Sequence, residues 1–86
     1  ARVPVLLPSL LATEAGGQNR FEPDAGTVGT ALRALPIRNL IFDEHDALRP
    51  LVNVYVDGED VRTRSGLETE LRGGEEVRVV AAIAGG

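Results

Sequence analysis

The sequence contains no cysteine and no lysine, and these two absences exclude several kinds of chemistry. Without cysteine there can be no disulfide, no thiolate nucleophile and no thiolate metal site. Without lysine there is no Walker-type phosphate loop, no Schiff base and no side-chain amine to which a second copy of this domain could be joined. All nine basic residues are therefore arginine.

Other residues that enzymes need are scarce. Serine occurs only at Ser9 and Ser65, and His45 is the single histidine, which argues against a hydrolytic triad. No apolar run is long enough to span a membrane. The net charge of -4 argues against a nucleic-acid partner and favours a basic protein surface. We therefore expect a cytoplasmic, monomeric protein that is not itself an enzyme and binds neither nucleic acid nor membranes.

Length and patterning predict one small domain, 1–86, with a modest core. Apolar residues at every second position predict three strands. These residues are Val3, Val5 and Leu7 in the first strand, Val52, Val54 and Val56 in the clearest strand, and Val77, Val79 and Ala81 in the last. The run from Val3 to Leu11 is interpreted as strand, and its prolines suggest a sheet edge or bulge. Arg20 to Glu22 and Glu59 to Thr63 are weaker strand candidates, the latter with Val61 inward.

Turns and helices separate these strands. Glycine pairs at Gly16-Gly17 and Gly73-Gly74, together with Asp57-Gly58, indicate turns. Thr27 is a suitable N-cap for a helix whose apolar face is Val28, Ala31, Leu32 and Leu35, and Pro36 ends it. Ile37, Leu40 and Ile41 repeat the helical spacing in a short turn. The stretch from Ser65 to Leu71 suggests a single helical turn that holds Leu67 and Leu71 over the core.

The segment from Phe42 to Pro50 is irregular and contains Asp43-Glu44-His45-Asp46. Adjacent side chains point apart, so these four rarely converge on one ion. We interpret the segment as a solvated acidic loop anchored by Phe42 and Leu48, with no metal site.

This order of elements predicts an α+β fold of the ubiquitin-like β-grasp arrangement. The first and last strands would pair in parallel at the centre of a mixed sheet, and one main helix would cover one face. A flexible tail, 82–86, would then protrude from the last strand and end in Gly85-Gly86. Two terminal glycines could also be a frayed end or a scar of shortening. Alternatively they suit threading into a narrow cleft that presents the carboxylate as the reagent.

Four stretches resemble the ubiquitin-like bacterial sulfur carriers of the ThiS and MoaD type, and among them the carriers that serve cysteine biosynthesis. They are VPVLLPSLL at the start, GGQ at Gly16 to Gln18, VNVYVDGEDVR from Val52 to Arg62, and GGEEVRVVAAIAGG at the end. The resemblance spans nearly the whole chain and is loosest between Phe21 and Pro50.

The resemblance implies a specific chemistry at the tail. An E1-like enzyme of the MoeB or ThiF type would use ATP to adenylate the Gly86 carboxylate, and sulfur would replace AMP to leave a thiocarboxylate. Gly85 would sit beside the reacting group, and Ala82, Ile83 and Ala84 would thread into partner enzymes. The carrier itself would bind no cofactor. The acceptor would be a PLP-dependent cysteine synthase, a ThiG-like thiazole synthase or a thiosugar synthase.

Partner recognition should use an apolar patch on the sheet face opposite the helix. Strand alternation selects Leu6, Pro8, Tyr55 and Val80 as its members, with Arg78 beside them as a charged contact. The alternative is that these residues simply cover a small sheet, since exposed apolar side chains are common.

Three other functions compete with the free sulfur carrier. The protein could be the stable small subunit of a molybdopterin-synthase-like complex, whose large subunit would copurify with it. It could be a protein modifier joined to lysines of targets, visible as ladders of heavier species. It could also be a plain binding module, for which the tail would be dispensable.

Overall fold

The computed structural model of the protein describes residues 1–81, which form one mixed sheet with helices on one side. The five strands are β1 (Val5–Leu6), β2 (Arg20–Phe21), β3 (Val52–Val56), β4 (Glu59–Asp60) and β5 (Val77–Ala81). Their order across the sheet is β2-β1-β5-β3-β4. β5 pairs in parallel with β1 and antiparallel with β3. The predicted parallel pairing of the first and last strands is confirmed, and β5 is the middle strand.

Alternation along the two longest strands separates an inner face from an outer one. In β3, Val52, Val54 and Val56 are buried, and in β5 the buried residues are Val77 and Val79. The intervening side chains are half-buried or exposed. The predicted period of two is confirmed in both strands, and the valines supply the sheet's contribution to the core.

The main helix, α2 (Val28–Arg33), covers the inner face of the sheet. Its N-cap is Thr27, whose Oγ1 accepts a hydrogen bond from the backbone N–H of Thr30 at 3.2 Å. The predicted face of Val28, Ala31, Leu32 and Leu35 is buried. The helix ends at its C-cap Ala34, two residues before Pro36. Cap, face and end of this helix are confirmed.

A second, one-turn helix, α3 (Arg38–Ile41), follows directly. The predicted short helical turn is confirmed. Ile37 and Ile41 are buried, but Leu40 is exposed. Consecutive residues of a helix, such as Leu40 and Ile41, point in directions about 100° apart around its axis. A single turn that packs Ile41 into the core therefore leaves Leu40 at the rim.

The helix α1 (Ser9–Glu14) lies where the sequence predicts strand and turn. It ends in a Schellman motif, because the backbone N–H of Gly16 bonds to the Thr13 carbonyl at 3.3 Å and that of Gly17 to the Ala12 carbonyl at 2.8 Å. Both glycines have positive φ, of 77° and 90°. The predicted turn at these glycines is confirmed, but the strand up to Leu11 is wrong because a helix begins immediately after Pro8.

The strand β1 is shorter than expected and is not at a sheet edge. It pairs with β2 on one side and β5 on the other through only two residues, between Pro4 and Pro8. The alternation itself holds, since Val3, Val5 and Leu7 are buried. The prolines lack an N–H donor and therefore limit the length of the ladder.

After β3, the chain turns at Asp57-Gly58, whose φ values of 50° and 83° fit the predicted hairpin turn. The return strand β4 is shorter than expected, because a 3₁₀ helix, Val61–Thr63, replaces its last part. Val61 still points into the core. A second 3₁₀ helix, Gly66–Glu68, forms the predicted helical turn, with Leu67 half-buried and Leu71 buried.

The acidic loop (42–50) is anchored as predicted. Phe42 is buried, and it forms an isolated antiparallel bridge with Leu48. None of the helices in residues 1–81 has the length and apolar content to span a membrane.

Candidate functional site

The middle strand leads into the predicted reactive tail. Gly85 and Gly86, and the threading residues Ala82, Ile83 and Ala84, lie outside the described residues. β5 is paired up to Ala81, which lies opposite Val52 at the start of β3. The described fold therefore places the base of the tail at one end of the sheet, beside the start of β3 and the end of the parallel strand β1.

The sheet register brings three of the predicted patch residues into one cross-strand row. Arg78 on β5 is paired with Leu6 on one side and with Tyr55 on the other. Leu6 and Tyr55 are half-buried, and Arg78 is exposed. The row continues to Arg20 on β2 and Asp60 on β4. We call these five residues the outer row.

The other two predicted patch residues lie outside that row. Val80 is also on the outer face, paired with Asn53 one step closer to the tail, and it is exposed. Pro8 is the N-cap of α1 and is half-buried. Four of the five predicted residues thus share the outer face, whereas Pro8 lies at the end of the sheet.

The arginines along the outer row are paired with acids two residues away in sequence. Arg78 Nη2 lies 3.3 Å from Glu76 Oε2, and Arg20 Nε lies 3.6 Å from Glu22 Oε2. Such exposed pairs contribute little stability but largely cancel the local charge. The outer face therefore offers apolar contact from Leu6, Tyr55 and Val80 more than a net charge.

One member of the outer row, Asp60, forms an ion pair with Arg62. Arg62 Nη2 lies 2.8 Å from Asp60 Oδ2, and the backbone N–H of Arg62 donates to Asp60 Oδ1 at 2.9 Å. Hydrogen bonds from the Arg62 side chain, and then from its backbone, hold the pKa of the Asp60 carboxyl below its usual value. The same carboxylate raises the pKa of Arg62. Both groups consequently stay charged at neutral pH.

Side chains of the acidic loop form hydrogen bonds within the loop and ion pairs with α2 and α3. Asp43 Oδ1 accepts hydrogen bonds from the backbone N–H groups of His45 and Ala47 at 2.8 and 3.1 Å. These bonds, the one from Ala47 first, lower the pKa of Asp43. Asp46 pairs with Arg33 at 3.0 Å and with Arg38 at 3.4 Å. Within residues 1–81, no three His, Cys, Asp or Glu side chains converge as metal ligands would.

The sequence did not predict a groove at the base of the tail. Its volume is about 540 Å³, and α1, α3, the segment before β3 and the end of β5 line it. Leu10, Leu40 and Leu51 are its exposed apolar members, and Ala81 forms part of its wall. We call it the tail-base groove. The available signal was the set of three leucines in segments that the β-grasp order brings to one end of the sheet.

The sheet order, the covering helix and the central last strand define a ubiquitin-like β-grasp protein, and solved structures agree. CysO of Mycobacterium tuberculosis superposes with a TM-score of 0.83 and 31% identity, over 94% of this chain and 99% of that one. The matching chain of the Amycolatopsis orientalis BexX/CysO complex superposes with a TM-score of 0.81 and 35% identity, over 98% of this chain and 99% of that one. The small archaeal modifier protein SAMP1 of Methanosarcina acetivorans superposes with a TM-score of 0.81 and 26% identity, over 100% of this chain and 97% of that one.

Within that fold class, the chain belongs to the ThiS family, whose profile matches residues 5–86. It is 33% identical to the sulfur carrier protein CysO of Mycobacterium tuberculosis over 91 residues, which cover 98% of both proteins. The resemblance to ThiS-type carriers, and to CysO among them, is confirmed. The protein is a sulfur carrier of the ThiS and CysO type.

Proposed function

We propose that this protein carries sulfur as a thiocarboxylate on Gly86. An E1-like enzyme transfers AMP from ATP to the terminal carboxylate, and pyrophosphate leaves. Sulfide then attacks the acyl adenylate at the same carbonyl carbon, a C–S bond forms, and AMP departs with the electrons of the broken C–O bond. The thiocarboxylate subsequently acts as a nucleophile in an acceptor enzyme. The protein is a co-substrate in this scheme, and ATP is bound only by its partner.

The observation that carries this proposal is the position of the tail on the middle strand. β5 is paired with β1 at Val77 and Arg78 and with β3 up to Ala81, so residues 82–86 follow a fixed base. Five residues reach at most about 17 Å, which is enough to place Gly86 inside an enzyme cleft while the folded domain stays outside. The absence of cysteine also suits this chemistry, since no internal thiol can capture the activated ester.

The partners follow from the family. An adenylating enzyme of the MoeB or ThiF type would activate the carrier, and a biosynthetic enzyme would accept the sulfur. We propose as acceptor a PLP-dependent cysteine synthase or a synthase of the ThiG or thiosugar type. The similarity to CysO, and the complex of a CysO with BexX in Amycolatopsis orientalis, support a partner enzyme of this carrier. In either case, we propose that Leu6, Tyr55 and Val80, with Arg78 between them and Pro8 at the edge, contact the partner.

The test is the intact mass of the protein after incubation with ATP, a ThiF-type adenylating enzyme and sulfide. Exchange of one oxygen for sulfur should add about 16 Da. Deleting Gly86, or replacing Gly85 with valine, should abolish the gain, whereas Gly26→Ala, on the exposed surface, should leave it unchanged. A gain that persists without Gly86, or no gain with an enzyme active on another carrier of the family, would contradict the proposal.

The similarity to SAMP1 favours one alternative, a protein modifier. The activated Gly86 carbonyl would then be attacked by a lysine amine of a target, and AMP would leave as an isopeptide bond forms. Ladders of heavier species that carry this domain in cells, lost on deletion of Gly86, would support this function. Complete recovery as free carrier or thiocarboxylate would exclude it.

A further inference from the structure

Large apolar side chains that are exposed in residues 1–81 concentrate at the tail-base groove. Leu10 is 53% exposed, Leu51 47% and Leu40 39%, and all three line this groove. Val80 is the remaining exposed large apolar residue of this part of the chain and lies on the outer face. A small domain gains nothing from holding three leucines in water around one groove, so a partner that covers them is expected.

The groove lies beside the last described residue of the middle strand. Ala81 and its register partner Val52 both line the groove. The chain continues from Ala81 directly into the tail. Whatever encloses the tail must therefore approach the molecule at the groove.

Tail length limits how far the partner's surface can be from the groove. This step rests on the proposed function, in which the Gly86 carboxylate reacts inside an adenylating enzyme. Five residues span at most about 17 Å even when fully extended. The rim of the enzyme's tail channel must then lie within a few residues' length of Ala81, a distance that brings Leu10, Leu40 and Leu51 within its reach.

We propose that the tail-base groove receives an apolar side chain from the rim of the adenylating enzyme's tail channel. This contact is separate from the outer row, since the groove is built by α1, α3 and the segment before β3. Glu14 and Arg49 also line the groove, and they define its polar border. The Arg49 guanidinium donates to the Asn39 carbonyl at 3.0 and 3.2 Å, which fixes its position. The partner's apolar residue is thus flanked by groups that hydrogen-bond with Glu14 and Arg49.

Steady-state kinetics of thiocarboxylate formation with varied carrier concentration tests this contact. Leu40→Ser and Leu51→Ser should each raise the KM for the carrier about tenfold, with kcat unchanged at saturation. Leu40→Met and Leu51→Met, which keep an apolar side chain of similar volume, should retain the wild-type KM. Thermal unfolding checks that the serine variants fold, and Leu10→Ser provides the same test from α1 if one of them does not.

Each result has a distinct meaning. If the wild-type protein gains sulfur but the serine variants keep its KM, the groove contact is wrong and the proposed function stands. If the wild-type protein is never activated, both fail. Two other occupants would also overturn the inference. Shifts of the leucine methyl NMR signals in the free protein on truncation after Ala81 would assign the groove to the chain's own tail. A dimer in sedimentation that the serine variants abolish would assign it to a second copy.

Discussion

Gly29 of α2 lies directly against Leu67 of the second 3₁₀ helix. A Cβ atom at position 29 would be 3.1 Å from the Leu67 carbonyl oxygen and 3.3 Å from its Cβ. The neighbouring backbone is fixed as well, since the N–H of Val28 donates to the Thr69 carbonyl at 3.0 Å. Thr69 is buried, and its hydroxyl donates to the Gly66 carbonyl at 2.7 Å. The close approach of these two segments therefore depends on the missing side chain at position 29.

Gly29→Ala should destabilise the protein. Alanine is favoured over glycine in a helix by about 1 kcal/mol. Overpacking typically costs about 1 to 3 kcal/mol, so we expect a net loss of about 1 kcal/mol. Urea unfolding followed by far-UV circular dichroism measures it. Gly26→Ala is the matched control, since nothing lies within 4 Å of its added Cβ. A stabilised Gly29→Ala protein would show that the two segments can separate freely.

Gly58→Ala tests a different cost, that of backbone conformation. Gly58 has a φ of 83°, and a Cβ there would meet no atom within 4 Å. Any loss must then come from the left-handed conformation, which costs a non-glycine residue about 1 to 2 kcal/mol. Asp57→Asn should change the free energy of unfolding by less than about 0.5 kcal/mol. Asparagine tolerates the φ of 50° and retains an acceptor for the Glu76 N–H. Equal losses in the two variants would contradict this assignment.

The loss of stability on truncating a leucine should depend on whether that leucine is buried. Leu32 is fully buried under the sheet, and Leu32→Ala should lower the free energy of unfolding by about 2 to 5 kcal/mol through lost transfer energy and a residual cavity. Leu51→Ala, at the tail-base groove, should lower it by less than about 1 kcal/mol. Denaturant midpoints, compared at constant m-value, measure the loss of unfolding free energy in both variants. A large loss at Leu51 would mean that the groove contributes to the core rather than to binding.

Acid should lower the free energy of unfolding, in part because it protonates Asp60. Its pKa is lowered in the folded state by Arg62, so its contribution is present above the unfolded pKa and is lost as pH falls through the folded pKa. Asp60→Asn should therefore reduce the slope of unfolding free energy against pH in the acid range. NMR titration of the Asp60 carboxyl should show its midpoint rise in Arg62→Gln. An unchanged midpoint in that variant would exclude Arg62 as the cause.

Strands and the main helix could be predicted because each carries one clear period. Val52 to Val56 alternates over a whole strand with one buried face, and α2 combines a Thr27 cap with four apolar residues at helical spacing. α1 was missed because its apolar residues continue those of β1 without a break in composition. Six residues are less than two turns, too few for a helical period to stand out. The useful signals were Pro8 before it and the glycine pair after it.

The outer face could be predicted from alternation, but the tail-base groove could not. Leu6, Arg78 and Tyr55 follow from strand periodicity once the strand order is known. The groove joins Leu10, Leu40 and Leu51, which lie in three segments far apart in sequence. The helical spacing of Ile37, Leu40 and Ile41 did not indicate that Leu40 would be exposed. Exposure of that side chain depends on how a one-turn helix is rotated, and tertiary packing decides this rotation.

The central place of β5 bears on how the protein is made. β5 comes last among the described strands, yet β1 and β3 both depend on it as their neighbour. During synthesis, more than two thirds of the described chain must be made after β1 before its parallel partner, β5, exists. Pairing over such sequence distances is slow, and incomplete sheets are open to proteolysis. A nascent chain that stops before β5 should be degraded, so the stable pool consists of molecules that already contain the strand leading to the tail.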